Sequence, residues 1–226
     1  MTSSERLFVW AGGVIFVGSL VLCAYSYLVR WAVPHEIDWT AFGFDAMVFS
    51  VFALHHSLFA RTRIMNGLAR LVPERLLRSV YVWIASLLLI AVCLLWKPIG
   101  GVAYHHAGWI AAGHAVIQLL GVGIVVQSVR AIDALELAGI RRQSEKAGLQ
   151  IAGPYRLVRH PLYLGWTLLV FGAAAMTGDR FGFAAMTTLY LMLAIPWEER
   201  SLHAAFGGDY QRYIRRVRWR MIPFIY

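Results

Sequence analysis

The chain has 226 residues, of which 59% are hydrophobic and only 15% are charged. This composition lies far from that of soluble domains and predicts an integral membrane protein. The formal net charge of +9 therefore does not indicate nucleic-acid binding, and the two cysteines, both inside apolar runs, indicate neither a disulfide framework nor a cysteine-based metal site.

Six apolar segments are long enough to cross the hydrocarbon core as helices, which takes about 17 to 25 residues. They are residues 7–29, 42–60, 79–96, 109–129, 161–178 and 181–197. The first is longer than the core of a signal peptide, so we expect it to be a retained span. The second is the weakest, because Asp45 lies near its start and His55 and His56 lie near its end. The last two are expected to form a tight helical hairpin that turns at Asp179 and Arg180.

The distribution of basic residues supports six spans. If the N-terminus is cytoplasmic, all but three of the 21 lysines and arginines fall on cytoplasmic segments, the exceptions being Arg30, Lys97 and Arg180. This separation follows the positive-inside rule and predicts that both termini are cytoplasmic. An odd number of spans would place some of these basic segments on the opposite side of the membrane, against the positive-inside rule. Five spans, with the segment 42–60 re-entrant, are the alternative prediction.

Little of the chain remains for soluble structure. The longest polar stretch, residues 131–150, is expected to begin as a helix. In the C-terminal tail, apolar residues recur every three or four positions opposite several arginines, which predicts a basic amphipathic helix on the membrane surface. Gly207 and Gly208 are expected to interrupt it. We predict a single domain, in which residues 1–130 form four spans and residues 131–226 carry the functional site.

The most informative polar sequence, GPYRLVRHPLYLG, stands at the start of the fifth predicted span. Pro161 suits the first helical position, where its missing N–H costs nothing, so Arg159 and His160 should stand at the mouth of a helix. Tyr155 and Tyr163 add hydroxyl groups and aromatic faces, and the helix dipole favours an anionic group on a ligand. The alternative interpretation of this sequence is a basic collar beside the membrane.

Two acidic residues, Glu198 and Glu199, end the sixth predicted span. If the last two spans form a hairpin, these carboxylates meet the start of the fifth span at one interface, where each needs a partner. One interpretation is an ion pair with Arg156 or Arg159 that only orders the hairpin. The other is a pocket for a zwitterionic ligand such as S-adenosylmethionine. Tyrosine rings can face its sulfonium, and Glu198 can bind its amino group.

No metal site is predicted. The pairs His55–His56 and His105–His106 are adjacent in sequence, so on a helix their side chains diverge by roughly 100°. Neither pair has the spacing of a zinc-binding HExxH motif. A transporter is the least favoured function, because titratable groups are scarce within the spans and no internal repeat is visible.

The GPYRLVRHPLYLG segment resembles the G-x-Y-x-x-x-R-H-P-x-Y-x-G signature of the isoprenylcysteine carboxyl methyltransferase and phospholipid methyltransferase superfamily of membrane enzymes. A second signature of that family, E-E-x-x-L-x-x-x-F-G-x-x-Y-x-x-Y, is matched by Glu198, Glu199, Leu202, Phe206, Gly207, Tyr210 and Tyr213. In the N-terminal half, the sequence LHHSLFAR at residues 54–61 and Lys97-Pro98 are similar to the NnrU-like branch. That branch includes the bacterial methanethiol S-methyltransferases, which make dimethyl sulfide.

The resemblance implies an all-α polytopic membrane methyltransferase that uses S-adenosylmethionine. Carried over position by position, it implies that the cofactor is held by Leu149, Gln150, Tyr155, His160, Pro161, Leu162, Tyr163, Glu198 and Glu199. The family also uses an arginine shortly before its Glu pair to hold a prenylcysteine carboxylate. Residues 193–197 contain no arginine, which argues against a prenylcysteine substrate.

We therefore predict an enzyme of the bacterial inner membrane that methylates a small thiol such as methanethiol. Because the thiolate is the nucleophile, His56 is the candidate for assisting loss of the thiol proton or orienting the acceptor, with Arg61 and Arg159 stabilising negative charge. A helix-packing hydrogen bond is the alternative role of His56. The alternative functions are methylation of a lipophilic acceptor, either a prenylcysteine carboxylate or a phospholipid amine, and a non-enzymatic protein whose basic face binds anionic lipid.

Overall fold

The structure of the chain is a computed structural model. It describes residues 1–59, 67, 69–70, 72–130, 135, 138–140 and 148–226. The chain divides into two compact units. The first comprises Met1–Gly101 and Asp133–Ser144, and the second comprises Val102–Ile132 and Glu145–Tyr226. Arg61 and most of the segment 131–150, which was predicted to begin as a helix, lie outside the described residues.

Three long helices make up most of the described part of the first unit. They are α1 (Ser3–Leu28), α2 (Trp39–Phe59) and α3 (Glu74–Leu95). α3 packs against both of the others. A capping box closes the start of α1, where the Thr2 hydroxyl accepts the Glu5 N–H and the Glu5 carboxylate accepts the Thr2 N–H. This satisfies two backbone groups that the first turn leaves unpaired.

These helices confirm the first three predicted spans. α1 and α3 begin earlier than predicted, because their polar first turns, which contain Glu5 and Glu74, are helical although they precede the apolar runs. An acidic residue in a first turn is favoured by the helix dipole. α2 is 21 residues long and apolar enough to cross a membrane. Its length supports a full span rather than the re-entrant alternative.

The second unit combines four helices and a two-stranded sheet within the described residues. The helices are α4 (Gly108–Arg130), α5 (Pro161–Phe171), α6 (Gly178–Phe206) and α7 (Gly208–Arg216), and the strands are β1 (Val102–His105) and β2 (Ala175–Thr177). The strands are antiparallel, with Val102 opposite Thr177 and His105 opposite Ala175. α5 packs against α4 and α6, and α6 also packs against α7. A short 3-10 helix, Gly153–Arg156, precedes α5.

The fifth predicted span is shorter than expected. α5 has 11 residues, so it is about 16 Å long, roughly half the thickness of the hydrocarbon core. The carbonyl groups at its end are taken by side chains of α4 and β1. Gln118 donates to the Leu169 oxygen at 3.1 Å, and Tyr104 donates to the Phe171 oxygen at 3.0 Å. Within a membrane, such a helix end is tolerated only where the protein satisfies its backbone groups.

The connection between the fifth and sixth predicted spans is not the tight helical hairpin that was expected to turn at Asp179 and Arg180. After α5 the backbone is extended, and β2 pairs with β1. Asp179 and Arg180 lie in the first turn of α6, where both are buried. The Thr177 hydroxyl caps this helix by accepting the Arg180 N–H at 3.2 Å. Five of the described helices are long and apolar enough to cross a membrane, and α5 is a shorter apolar helix. The all-α, polytopic membrane fold is confirmed.

Glycines allow α4 and α5 to touch backbone to backbone. A Cβ atom added to Gly121 would lie 2.7 Å from the Gly165 oxygen, and one added to Gly165 would lie 2.8 Å from the Gly121 oxygen. Small residues permit this close approach of membrane helices. Gly113 and Gly123 of α4 make no such approach, because a Cβ added to either would meet no described atom within 4 Å.

We expect Gly121→Ala to lower the thermal stability of the detergent-purified protein, and Gly123→Ala to leave it unchanged or slightly raised. The first change forces the α4 and α5 backbones apart, an overpacking effect of about 1–3 kcal/mol. The second removes only the flexibility of a helical glycine. Thermal unfolding curves of the two variants measure the difference. Equal melting temperatures would contradict the close approach of α4 and α5.

Candidate functional site

A buried ion pair joins the start of α5 to α6. The Arg159 side chain is only 6% exposed, and its Nε donates to Glu199 Oε1 at 2.6 Å. The same guanidinium donates through Nη1 to the Val217 and Arg218 oxygens at 3.0 and 2.8 Å. Arg220 approaches the other Glu199 oxygen with its Nε at 3.2 Å. Glu199, 12% exposed, is thus held between two guanidinium groups.

His160 lies between the two carboxylates. Its Nδ1 is 3.5 Å from Glu198 Oε2, and its Nε2 is 3.5 Å from Glu199 Oε1. The His160 ring is stacked on the Tyr163 ring, with centroids 5.4 Å apart. Burial alone would lower the pKa of His160, but hydrogen bonding to Glu198 and Glu199 and their charges outweigh burial and raise this pKa above its ordinary value. The negative charge of the Glu pair therefore favours the protonated form of His160.

Glu198 differs from its neighbour in being accessible. Its side chain is 44% exposed. Its Oε2 accepts a hydrogen bond of 2.7 Å from the Tyr163 hydroxyl, and this bond orients the carboxylate. Adjacent residues on a helix point about 100° apart, so Glu199 faces the buried Arg159 while Glu198 stays exposed. Glu198 is therefore the carboxylate that a cationic group on a ligand can reach.

The C-terminal segment, residues 208–226, contacts the start of α5 through its main chain. The Arg159 N–H donates to the Trp219 oxygen at 2.9 Å, and the His160 N–H donates to the Arg220 oxygen at 2.7 Å. Arg159 and His160 are thereby fixed by main-chain hydrogen bonds in addition to their side-chain contacts. Pro161 then starts α5 as its first residue, as predicted, with His160 as the preceding cap residue.

α7 adds a cluster of aromatic and apolar side chains beside the Glu pair. The buried members are Tyr210, Tyr213 and Val217, against which Leu149, Leu202, Phe206 and Ile214 pack. Gly207, with φ of 49°, separates α6 from α7, which confirms the predicted interruption. The Tyr213 hydroxyl donates to the Tyr155 oxygen at 2.8 Å and ties α7 to the 3-10 helix before α5. Burial raises the pKa of both Tyr210 and Tyr213, so both hydroxyls keep their protons.

Most residues predicted for the site belong to the second unit. Those whose contacts place them together are Leu149, Tyr155, Arg159, His160, Tyr163, Glu198 and Glu199. Pro161 and Leu162 follow directly in the first turn of α5, and Gln150 follows Leu149 in an irregular segment. The contacts of Arg159 favour a positioning role for this residue over the predicted direct stabilisation of an acceptor.

Arg220 was not among the predicted site residues, although it pairs with Glu199 and stacks on the Tyr226 ring, 5.3 Å from the ring centroid. Tyr210 and Tyr213 were not predicted to bind a ligand either, although both belong to the second signature. The alternation of apolar and basic residues from Val217 to Met221 is a signal for extended backbone that could have indicated how this segment pairs with residues 159–160.

His56 belongs to the first unit. Its Nδ1 lies 2.7 Å from the Tyr81 hydroxyl, and the His55 ring stacks on the same tyrosine with centroids 5.6 Å apart. This bond to α3 is the helix-packing contact that was the alternative role of His56. The assignment of His56 to the acceptor stays a prediction. Within the described residues, no three His, Cys, Asp or Glu side chains are grouped so as to hold a metal ion.

The amino-acid sequence of the chain is similar to those of known proteins. The phospholipid methyltransferase family profile matches residues 109–209. The chain is 34% identical to methanethiol S-methyltransferase 2 of Bradyrhizobium diazoefficiens, over 87% of this chain and 82% of that protein. It is 33% identical to methanethiol S-methyltransferase of Crocosphaera subtropica, over 98% and 94% of the two chains.

A shorter part of the chain is similar to an isoprenylcysteine methyltransferase. The chain is 34% identical to a probable protein-S-isoprenylcysteine O-methyltransferase of Oryza sativa subsp. indica, over 32% of this chain and 39% of that one. No solved structure matches the chain.

Proposed function

Because the chain belongs to the phospholipid and isoprenylcysteine methyltransferase superfamily, in the branch of the methanethiol S-methyltransferases, we propose that it methylates a small thiol with S-adenosylmethionine as donor. Methanethiol is the proposed acceptor and dimethyl sulfide the product. The chain is a membrane methyltransferase. We place it in the bacterial inner membrane with both termini in the cytoplasm, as the distribution of basic residues favours.

One observation carries the choice of donor, namely the unequal exposure of the Glu pair. Glu199 is held by Arg159 and Arg220, whereas the Glu198 side chain is 44% exposed and oriented by Tyr163 and His160. A partly exposed carboxylate beside aromatic rings fits an amino acid ammonium next to a sulfonium. Glu198 would hold the ammonium group, and the Tyr163 ring would face the sulfonium.

The remaining predicted residues would complete the binding site. Tyr155 stands near Glu198, and burial raises the pKa of its hydroxyl, with a further contribution from the Glu198 charge. Leu149 packs on the tyrosine cluster of α7. With Gln150 and Leu162, it would form an apolar wall with one amide for the adenosine moiety. Glu199 and Arg159 would act by positioning, since their charged groups are already paired with each other.

When bound, S-adenosylmethionine would supply a sulfonium methyl group, which a thiolate can attack at carbon so that S-adenosylhomocysteine leaves. The contribution of the chain would be to hold donor and acceptor in line and to exclude water. His56, whose ring is held by the Tyr81 hydroxyl, is our candidate for assisting loss of the thiol proton, with Arg61 near it in sequence. A small thiol needs no carboxylate clamp, which agrees with the missing arginine in residues 193–197. Methylation of a lipophilic acceptor is the alternative, supported by the similarity to the isoprenylcysteine enzyme.

The test combines binding and turnover of the detergent-purified protein. We expect calorimetry to detect binding of S-adenosylmethionine and of S-adenosylhomocysteine. With a labelled methyl donor, we expect transfer to methanethiol and little to longer thiols, a prenylcysteine analogue or phosphatidylethanolamine. Transfer only to the lipid amine would contradict the thiol acceptor, and absence of cofactor binding would contradict the donor.

The same assay addresses His56. We expect His56→Gln to slow methyl transfer to methanethiol by about 100-fold near neutral pH. The deficit should shrink at alkaline pH, because the thiol then ionises without assistance. His105→Gln, which changes an exposed histidine of the second unit, is the matched control.

A further inference from the structure

The outer side of the C-terminal segment, meaning its solvent-exposed side chains, includes both cationic and apolar groups. Arg215, Arg216 and Arg218 are exposed, and Phe224 and Ile225 are 83% and 77% exposed. We refer to these five residues as the C-terminal patch. Phe224 has φ of 67°, a left-handed conformation that a bulky residue rarely adopts. It stands in a turn closed by hydrogen bonds of the Tyr226 main chain.

The positive charge of the patch is not balanced within the segment. Asp209 is the one acidic residue after Gly208, and it pairs with Arg212. Arg220 pairs with Glu199. Among the described residues, no acidic side chain forms an ion pair with the three arginines of the patch. Exposed arginines beside an exposed aromatic and an aliphatic side chain are the groups that bind an anionic bilayer surface.

The inner side of the same segment holds the candidate site. The Val217 and Arg218 oxygens accept the Arg159 guanidinium, and the Trp219 and Arg220 oxygens accept the main-chain N–H groups of residues 159 and 160. A contact that orders the outer side of this segment must therefore also order Arg159 and His160. These two residues in turn contact the Glu pair.

We propose that anionic phospholipid headgroups bind the C-terminal patch and thereby tighten the site for the methyl donor. The guanidinium groups bind the lipid phosphates, while Phe224 and Ile225 insert between the acyl chains. The second half of this proposal rests on the proposed function. A soluble phosphate would satisfy the arginines but would leave the two apolar side chains in water. Each basic residue close to an anionic surface contributes about a fivefold preference for that surface over a neutral one.

The experiment compares the full chain in nanodiscs of phosphatidylcholine with nanodiscs of equal parts phosphatidylcholine and phosphatidylglycerol. We expect hydrogen exchange of residues 208–226 to be slower with the anionic lipid. We also expect S-adenosylhomocysteine to bind at least about fivefold more tightly. Arg215→Gln/Arg216→Gln should lose most of both responses, whereas Arg6→Gln/Arg70→Gln, which removes two exposed charges of the first unit, should keep them. Phe224→Ser/Ile225→Ser should weaken both.

Equal exchange rates in the two lipids would overturn the proposal. So would inorganic phosphate in phosphatidylcholine nanodiscs if it reproduced the protection, because the site would then bind a soluble anion. Slower exchange with unchanged cofactor affinity would overturn the coupling to the site. Absence of S-adenosylhomocysteine binding in both lipids would contradict the proposed function instead, since exchange reports on the patch without any cofactor.

Discussion

Glu198→Gln is expected to bind S-adenosylhomocysteine about 10- to 100-fold more weakly than the wild type while it keeps the wild-type melting temperature. The interaction that would be lost is the proposed hydrogen bond between the Glu198 carboxylate and the ammonium group of the cofactor, and a bond of this kind contributes about 1.5–3 kcal/mol. The fold is spared because the Glu198 side chain is 44% exposed and a glutamine oxygen can still accept the Tyr163 hydroxyl. Calorimetry and thermal unfolding of the same preparation measure the two effects.

Glu199→Gln is the matched comparison for this variant. It removes the adjacent charge, but from a carboxylate that is 12% exposed and bound by Arg159. We expect Glu199→Gln to lower the melting temperature. We also expect it to weaken cofactor binding, but only indirectly, because the residues around Glu198 become less ordered. Unchanged cofactor affinity of Glu198→Gln would show that this residue does not hold the ammonium group. An equal loss of stability in both variants would contradict the division of roles within the pair.

The proximity of the GPYRLVRHPLYLG segment and the Glu pair could be predicted from the sequence, because local backbone preferences determine where the helices that carry them begin or end. Pro161 at a first helical position and Gly207 at a helix break have strong backbone preferences that the sequence displays directly. The apolar runs predicted the long helices for the same reason. Two motifs at the ends of neighbouring helices then had to lie together, and His160 is indeed 3.5 Å from each carboxylate of the pair.

The end of α5 and the separate roles of the two glutamates depend on tertiary contacts, which no local pattern encodes. An apolar run to residue 178 predicts a continuing helix, yet Gln118 and Tyr104 offer partners for the carbonyls of a helix that stops at Phe171. Adjacent glutamates look equivalent in sequence. The positions of Arg159 and Arg220, both distant from Glu199 along the chain, together decide which of the two glutamates is paired and buried.

Arg159→Ala is expected to destabilise the protein more than any other single change discussed. The guanidinium is 6% exposed and donates to Glu199 and to the Val217 and Arg218 oxygens. Its removal leaves a buried carboxylate short of a partner and two main-chain acceptors unsatisfied. Breaking a buried pair in this way costs about 3–5 kcal/mol, which lowers the melting temperature of a chain of this size by roughly 10 °C.

The control is Arg212→Ala, because Arg212 also pairs with a carboxylate, that of Asp209, but both side chains are well exposed. Surface substitutions of this kind change stability by no more than about 0.5 kcal/mol. The double variant Arg159→Ala/Glu199→Ala separates the effect of the weakened Glu199 pairing from that of the unsatisfied main-chain acceptors. It also removes the carboxylate that has lost its arginine partner, so it should be less destabilised than Arg159→Ala alone. If thermal unfolding gives Arg159→Ala and Arg212→Ala the same melting temperature, the buried pair does not hold the start of α5 against α6. Glu198 would then lack the fixed support that its proposed role in donor binding requires.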